Sequence, residues 1–160
     1  MVWRSSTTLR DRILAALMYL IPLYDGLIYG RFLFAQFPFL EYLKIPLIPL
    51  AIVYSLIPFG LGSLLVFILL FVAVVRNEKI PHFIRFNTMQ AILISIVLAI
   101  ISLIYNLILQ PLIRGFFAEV LFNTIFLGVL AMVGYSVVQS VRGRYAEMPL
   151  ISEASYLQTR

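Results

Sequence analysis

Four long hydrophobic stretches set the main constraint on how this chain can fold. They cover residues 13–30, 47–75, 86–113 and 120–141, and Asp25 is the one charged residue within them. A transmembrane helix needs about 20 predominantly apolar residues. Hydrophobic residues make up 62% of the chain and charged residues 12%, whereas soluble domains are about half apolar and a quarter charged. The sequence therefore predicts an all-α integral membrane protein with four transmembrane helices.

The second stretch is too long for one straight span. As a helix it would reach roughly 43 Å, against a hydrocarbon core of about 30 Å. Pro58 removes a helical hydrogen bond and predicts a kink in this span. We expect spans at about residues 13–30, 54–75, 86–110 and 120–141. Residues 1–141 would then form the transmembrane domain, with an aromatic-rich interfacial segment at about 32–53 and a polar, poorly ordered tail at 142–160.

Basic residues are distributed unevenly between the two sides of such a four-span chain. The side that holds both termini and the middle loop carries nine of them: Arg4, Arg10, Arg12, Arg76, Lys79, Arg85, Arg142, Arg144 and Arg160. The other side carries three, namely Arg31, Lys44 and Arg114. Cytoplasmic loops of membrane proteins are enriched in Lys and Arg. We therefore expect both termini to face the cytoplasm, or the stroma in a plastid, and we expect no nucleic-acid partner.

The sequence offers little for catalysis or cofactor binding. It has no cysteine and a single histidine, His82, which excludes thiolate and multi-histidine metal sites. No glycine-rich phosphate-binding loop precedes a helix. His82 lies beside Pro81 in the basic loop, where we expect a solvated or interfacial role. We expect no enzymatic activity, no metal and no cofactor.

Asp25 is the one charge inside a predicted span. Insertion scales give a cost of about 2.5–3.5 kcal/mol for such a charge at a helix centre. Asp25 is expected nearer the outer end of its span. It either marks the interface, or it faces a polar cavity or pairs with Arg31 or a partner subunit. Gly26 and Gly30 follow at the GxxxG spacing that permits close helix approach.

The third span carries a stripe of small and polar residues at helical spacing. Its members are Thr88, Ala91, Ser95, Ala99, Ser102 and Asn106. Spacings of three and four place all of them on one helix face. Small residues let helices pack closely in lipid, so the stripe predicts helix packing, or else a weakly polar wall of a translocation path.

The same span opens with the segment RFNTMQA, residues 85–91. Arg85 has a side chain long enough to reach the headgroups, and we expect it to act as an anchor there. Asn87 and Gln90 are deeper, and in lipid they need partners. Hydrogen bonds between membrane helices contribute about 0.6–2 kcal/mol each. We interpret these two residues as a polar clasp that holds the third helix to its neighbours.

The segment HFIRFNTMQAIL, preceded by AVVRNEKI, closely resembles the Tic-twenty family, the twenty-kilodalton membrane subunits of the chloroplast inner-envelope protein translocon and their cyanobacterial relatives. The segments STTLRDRILAALMYLIPLYDGLIYG and FPFL are also similar to that family. The resemblance covers roughly residues 5–140. It implies four helices with both termini on the stromal or cytoplasmic side. In that family an acidic residue often occupies the position of Ser95, so its role is reduced or moved here.

The resemblance implies a subunit of a protein-import complex whose helices contribute to a preprotein-conducting path. Its partners would be other translocon subunits, translocating polypeptides, the lipid bilayer and further copies of the chain. The expected location is a cyanobacterial plasma or thylakoid membrane, or the plastid inner envelope. Two alternatives remain open: a non-conducting scaffold or assembly factor, and a small-solute or ion channel.

Overall fold

The computed structural model describes residues 7–58, 61–149 and 151–159, and every regular element in these ranges is helical. The predicted all-α class is confirmed. The α-helices are α1 Leu9–Met18, α2 Leu20–Gly26, α3 Arg31–Gln36, α4 Ile48–Ser55, α5 Gly62–Leu70, α6 His82–Ile104, α7 Phe116–Val141 and α8 Ile151–Thr159. They are extended by 3₁₀ segments at Leu27–Gly30 and Pro38–Leu47 and by π-helical turns at Phe71–Val75 and Tyr105–Leu109.

Four helical runs in the described residues are long and apolar enough to cross a membrane. They are Leu9–Gln36, Pro38–Ser55, His82–Leu109 and Phe116–Val141. The predicted number of four is confirmed. The second run lies earlier in the chain than the span expected at 54–75, because residues 62–75 form a shorter apolar helix of their own.

The helical path is interrupted between α4 and α5. The sequence predicted a kink at Pro58, but α4 ends at Ser55 and α5 begins only at Gly62. Proline cannot donate a backbone hydrogen bond, and its ring clashes with the carbonyl one turn earlier. A Cβ atom at Gly62 would lie 2.7 Å from the carbonyl oxygen of Tyr54. Glycine is therefore required for α5 to start so close to the end of α4.

Contacts with neighbouring helices show where in the bundle this interruption lies. The ring of Tyr54, at the end of α4, packs edge-on against Tyr24 with centroids 4.9 Å apart. Ser63, at the start of α5, lines the same cleft as Asp25 and Ser95. Asp25 and Ser95 lie close to the middle of the runs Leu9–Gln36 and His82–Leu109. The interruption therefore lies beside the middle of the runs Leu9–Gln36 and His82–Leu109.

The buried core is made by α1, α2, α6 and α7. Tyr19 and Phe126 are fully buried in it, together with Ile94. The outer segments contribute little, since Leu47 is the only buried residue of Pro38–Ser55 and Gly62 the only one of α5. Large apolar side chains cover the outside of the bundle, which is the surface that a hydrocarbon environment favours.

The two glycines of the first span pack against α7. A Cβ atom at Gly26 would lie 2.8 Å from Cγ1 of Val129, and one at Gly30 would lie 2.9 Å from Cζ of Phe126. Real Cβ atoms do not approach other atoms this closely, so the missing side chains allow the contact. The GxxxG spacing therefore corresponds to a close approach between two spans.

The C-terminal tail is structured, so the prediction of poor order for it is wrong over residues 151–159. Gly143 has a φ of 71° and ends α7. Its N–H donates to the carbonyl oxygen of Ser140, and the N–H of Arg144 donates to the carbonyl oxygen of Gln139. This is the Schellman arrangement that reverses the chain after a helix. The following residues return to α6, where α8 packs.

Candidate functional site

Asn87 lies at the centre of a buried polar cluster near the start of α6. Its Oδ1 accepts hydrogen bonds from the Tyr19 hydroxyl at 2.8 Å and from the Ser140 hydroxyl at 3.0 Å. Its Nδ2 donates to the carbonyl oxygen of Phe83 at 2.7 Å. The Asn87 side chain is fully buried. One amide therefore joins α1, α6 and α7 at a single point.

Gln90 connects the same cluster to the C-terminal tail. Its Oε1 accepts a second, longer hydrogen bond from the Tyr19 hydroxyl at 3.2 Å. Its Nε2 donates to the carbonyl oxygen of Ala146 at 2.7 Å. Ser152, at the start of α8, donates to the same carbonyl at 3.3 Å. We call Tyr19, Asn87, Gln90, Ser140 and Ala146 the clasp. Buried polar groups without partners are costly, and each of these has one.

Arg85 points inward in this structure, away from the headgroup position expected from the sequence. Its side chain is 9% exposed, and its Nε donates to the carbonyl oxygen of Val75 at 2.8 Å. The last carbonyls of a helix lack partners within that helix. Val75 ends the π-helical turn after α5, so its carbonyl offers the guanidinium an acceptor. Arg85 therefore links the π-helical turn after α5 to α6.

His82 is exposed, in keeping with its expected solvated or interfacial role, and its ring also contacts the C-terminal tail. Its Nδ1 lies 3.0 Å from the Tyr145 hydroxyl, and its Nε2 lies 3.2 Å from Oγ1 of Thr159 in α8. Phe86 packs against the rings of Tyr145 and Tyr156, with centroids 5.0 and 4.5 Å apart. Burial raises the pKa of Tyr145 above its ordinary value. This aromatic cluster holds the tail against α6.

The predicted stripe on α6 divides into two functional parts. Thr88 and Ala91 are fully buried beside the clasp, and the Thr88 hydroxyl donates to the Ile84 carbonyl of its own helix at 2.8 Å. Ser95, Ala99 and Ser102 line an open cleft. Asn106, beyond them, is exposed and donates to the Ser102 carbonyl at 2.8 Å. The first part packs helices, and the second part forms a wall.

This cleft, which we call the Asp25 cleft, has a volume of about 450 Å³. Its walls come from α2, the 3₁₀ turn after it, α5 and α6, and the lining residues are Tyr24, Asp25, Leu27, Ile28, Tyr29, Ser63, Ser95, Leu98, Ala99 and Ser102. The volume lies within the range of small-ligand sites, about 300–1,000 Å³. A carboxylate and several hydroxyl groups therefore share one cavity at the middle depth of the bundle.

Asp25 has no ion-pair partner within 4 Å among the described residues. Arg31, one of the partners considered from the sequence, lies over the rings of Phe32 and Phe122 at 4.7 and 4.2 Å. The Ser95 hydroxyl is buried and makes no hydrogen bond in the described part of the chain. Among the described residues, the cleft thus combines a carboxylate without an ion-pair partner and one buried hydroxyl without a hydrogen bond.

The described residues hold no group of three or more metal-ligating side chains.

Comparison with known proteins gives the family. The model of the family described as "Chloroplast import apparatus Tic20-like" matches residues 7–155 of this chain. The chain belongs to the Tic20 family. The resemblance in HFIRFNTMQAIL is therefore confirmed.

Relatives of this Tic20-family chain come from cyanobacteria and from plastid-bearing organisms. A Tic20 family protein of Synechocystis sp. is 50% identical over 152 residues, which cover 94% of each chain. The protein TIC 20-v, chloroplastic, of Arabidopsis thaliana is 33% identical over 148 residues, or 91% of this chain and 69% of its own. The Tic20 family protein Ycf60 of Gracilaria tenuistipitata is 32% identical over 156 residues, which cover 94% of this chain and 76% of that protein. With four candidate spans, this is a multi-pass membrane protein of cyanobacterial or plastid membranes.

Sequence reasoning on this Tic20-family chain missed the partners of Asn87 and Gln90. Tyr19 stands in an apolar run, where a tyrosine is typical of a membrane interface, and Ser140 lies in the last turn of the apolar helix α7. Ala146 contributes a backbone carbonyl, which no side-chain pattern reveals. The one available signal was the presence of two amides deep in α6, since each needs a donor or acceptor from another element.

Proposed function

We propose that this Tic20-family chain is a membrane-embedded, non-catalytic subunit of a protein-translocation complex, and that the Asp25 cleft forms part of the wall along which a polypeptide passes. The family description names the chloroplast import apparatus. That description supports a translocation role in general. The finer assignment to the cleft rests on the chain's own residues.

The observation that carries the proposal is a polar cleft at the middle depth of the spans. Ionisable residues inside membrane segments face a bundle interior or a water-filled cavity and mark transport paths. Helices interrupted at mid-depth are tolerated where their ends line such a cavity. Here Asp25, Ser95 and Ser102 lie in one cleft, and the interruption between α4 and α5 lies beside it.

The two walls of this cleft differ in how firmly they are held. The wall formed by α2 and α6 continues into the buried core and the clasp. The opposite wall includes Ser63 of α5, a helix in which Gly62 is the only buried residue. A lightly packed helix beside a rigid bundle can shift to widen the cleft, because few buried contacts oppose the motion.

The driving force for translocation must come from other subunits, because the sequence contains no phosphate-binding loop. We propose that both termini face the cytoplasm or stroma, as the positions of the basic residues indicate. The partners of this arrangement are other translocon subunits, which would cover part of the exposed apolar surface of α4 and α5.

Site-specific crosslinking to an arrested translocating polypeptide tests the cleft directly. Single cysteines at Ser95, Ala99 and Ser102 would carry the probe, since the chain has no cysteine of its own. Ile100 and Ile104 are matched controls, because they are exposed on another face of α6. We expect substrate adducts at the cleft positions and few at the controls. Equal labelling at both sets, or none in the cleft, refutes the proposed path.

A scaffold role is the second candidate, favoured by the broad apolar surface of α4 and α5. Ile52, Leu56, Leu65 and Leu69 are all more than 40% exposed, and partner helices could pack there. A scaffold would co-purify with its partners in fixed ratio and tolerate Ser95→Leu and Ser102→Leu. Loss of translocation in these variants with intact complex assembly would exclude it.

A further inference from the structure

A second cleft, distinct from the Asp25 cleft and the clasp, opens beside the first half of α1. Its volume is about 400 Å³. Arg10, Leu14 and Met18 line it from α1. Val74, Lys79 and Ile84 line it from the π-helical turn after α5, the loop before α6 and α6 itself. We call it the basic cleft.

The lining of the basic cleft changes from charged to apolar along α1. Arg10, Leu14 and Met18 are spaced four residues apart, so they share one helix face and extend over about 12 Å. Arg10 lies one residue after the start of α1, and Met18 lies at its end, next to the buried Tyr19. The cleft therefore has a basic mouth and an apolar interior that continues into the membrane span.

The two cations at the mouth are available to a ligand. Arg10 and Lys79 are exposed, and neither has a carboxylate oxygen within 4 Å among the described residues. Asp11 also lines the cleft. Its carboxylate accepts the N–H of Thr8 at 2.9 Å and completes the capping box of α1. The neighbouring Glu78 does not line the cleft.

We propose that the basic cleft binds one anionic phospholipid, with its phosphate between Arg10 and Lys79 and an acyl chain along Leu14, Met18, Val74 and Ile84. Basic pockets between membrane helices recognise lipid headgroups through such paired cations. Free phosphate would gain nothing from the apolar walls. In a zwitterionic lipid such as phosphatidylcholine, the choline ammonium offsets the charge of the phosphate and repels the two cations. This site is independent of the proposed translocation path.

Lipid retention by the purified full-length protein tests the site. Native mass spectrometry would compare phosphatidylglycerol with phosphatidylcholine of the same acyl chains. The double variant Arg10→Gln/Lys79→Gln should lose at least about tenfold in phosphatidylglycerol affinity, since two surface cations are removed. Arg76→Gln/Arg142→Gln removes the same charge from the same side but leaves the cleft lining intact, and it should retain the lipid.

Three outcomes would overturn the proposal. These are equal binding of both lipids, equal loss in the Arg76/Arg142 control, and displacement of the lipid by inorganic phosphate at matched concentration. The last outcome would indicate a phosphate site without a lipid chain. If the double variant does not fold, as judged by its circular dichroism, the variant Arg10→Lys/Lys79→Arg replaces it in the test of lipid binding. It keeps both charges and should bind as the unmodified protein does.

Discussion

The hydroxyl of Tyr19 donates to Oδ1 of Asn87 over 2.8 Å and so joins two spans across 68 positions of the chain. Both side chains are fully buried, and Ser140 donates to the same oxygen. Helices in lipid gain no hydrophobic force toward each other, so packing and such bonds determine how they associate. This one amide therefore contributes, beside the packed core, to the relative position of α6, α7 and the end of α1.

Replacing Tyr19 with Phe should lower the free energy of unfolding by about 1–2 kcal/mol. The change removes only the hydroxyl and leaves Oε1 of Gln90 without its donor. Reversible unfolding in mixed micelles, followed by circular dichroism, measures the loss. Tyr135→Phe is the matched control, because Tyr135 is exposed and its hydroxyl makes a single 3.4 Å bond to the Glu147 carbonyl. Equal losses in the two variants would show that the clasp hydroxyl has no special role.

The double variant Asn87→Leu/Gln90→Leu should release the C-terminal tail. Leucine cannot donate to the Ala146 carbonyl, so the tail loses its buried hydrogen bond to α6. It keeps the aromatic cluster around His82 and the weaker bond from Tyr135 to the Glu147 carbonyl. Hydrogen exchange in residues 151–159 should accelerate, and trypsin should cut faster after Arg144. Asn106→Leu serves as control, because Asn106 bonds only within its own helix. Unchanged protection of α8 would contradict the clasp.

The number of spans was predictable from the sequence because it depends on the length of apolar runs alone. The interruption between α4 and α5 was only partly predictable. Pro58 signals a disturbed helix, but whether the helix bends or stops depends on the contact between Gly62 and the Tyr54 backbone. The tail was misjudged because its composition is polar, whereas Tyr145 and Tyr156 give it an aromatic face that packs against α6.

In the candidate site too, features that depend on a residue's own chemistry were predictable, and features that depend on contacts with distant residues were not. Asn87 and Gln90 stood out because amides are costly in lipid. The inward direction of the Arg85 side chain could not be predicted from the sequence, since its acceptor is the backbone carbonyl of Val75, ten residues earlier. Asp25 was expected near one end of its span, but the first helical run extends from Leu9 to Gln36, and Asp25 lies close to its middle.

The orientation of the chain can be tested by labelling single cysteines from one side of the membrane. Leu157 in α8 is 64% exposed, and Tyr42, near the start of the run Pro38–Ser55, is 73% exposed, so both sites are accessible. Thr159 is a poor choice because it is 1% exposed. In intact cells, an impermeant reagent should label a cysteine at 42 and should reach one at 157 only after the membrane is opened. Labelling of position 157 in sealed cells would reverse the orientation expected from the basic residues.

The close contact between the first and last spans predicts a compensating pair of substitutions. Gly26→Ala places a Cβ atom 2.8 Å from Cγ1 of Val129, and overpacking of this kind costs about 1–3 kcal/mol. Val129→Ala removes the methyl groups that clash, so the double variant should recover part of the stability lost by Gly26→Ala. Gly128→Ala is the control, since a Cβ atom there would meet nothing within 4 Å. Additive losses in the double variant would mean that α2 and α7 do not meet at these residues, because residues in direct contact show coupling energies and distant ones do not.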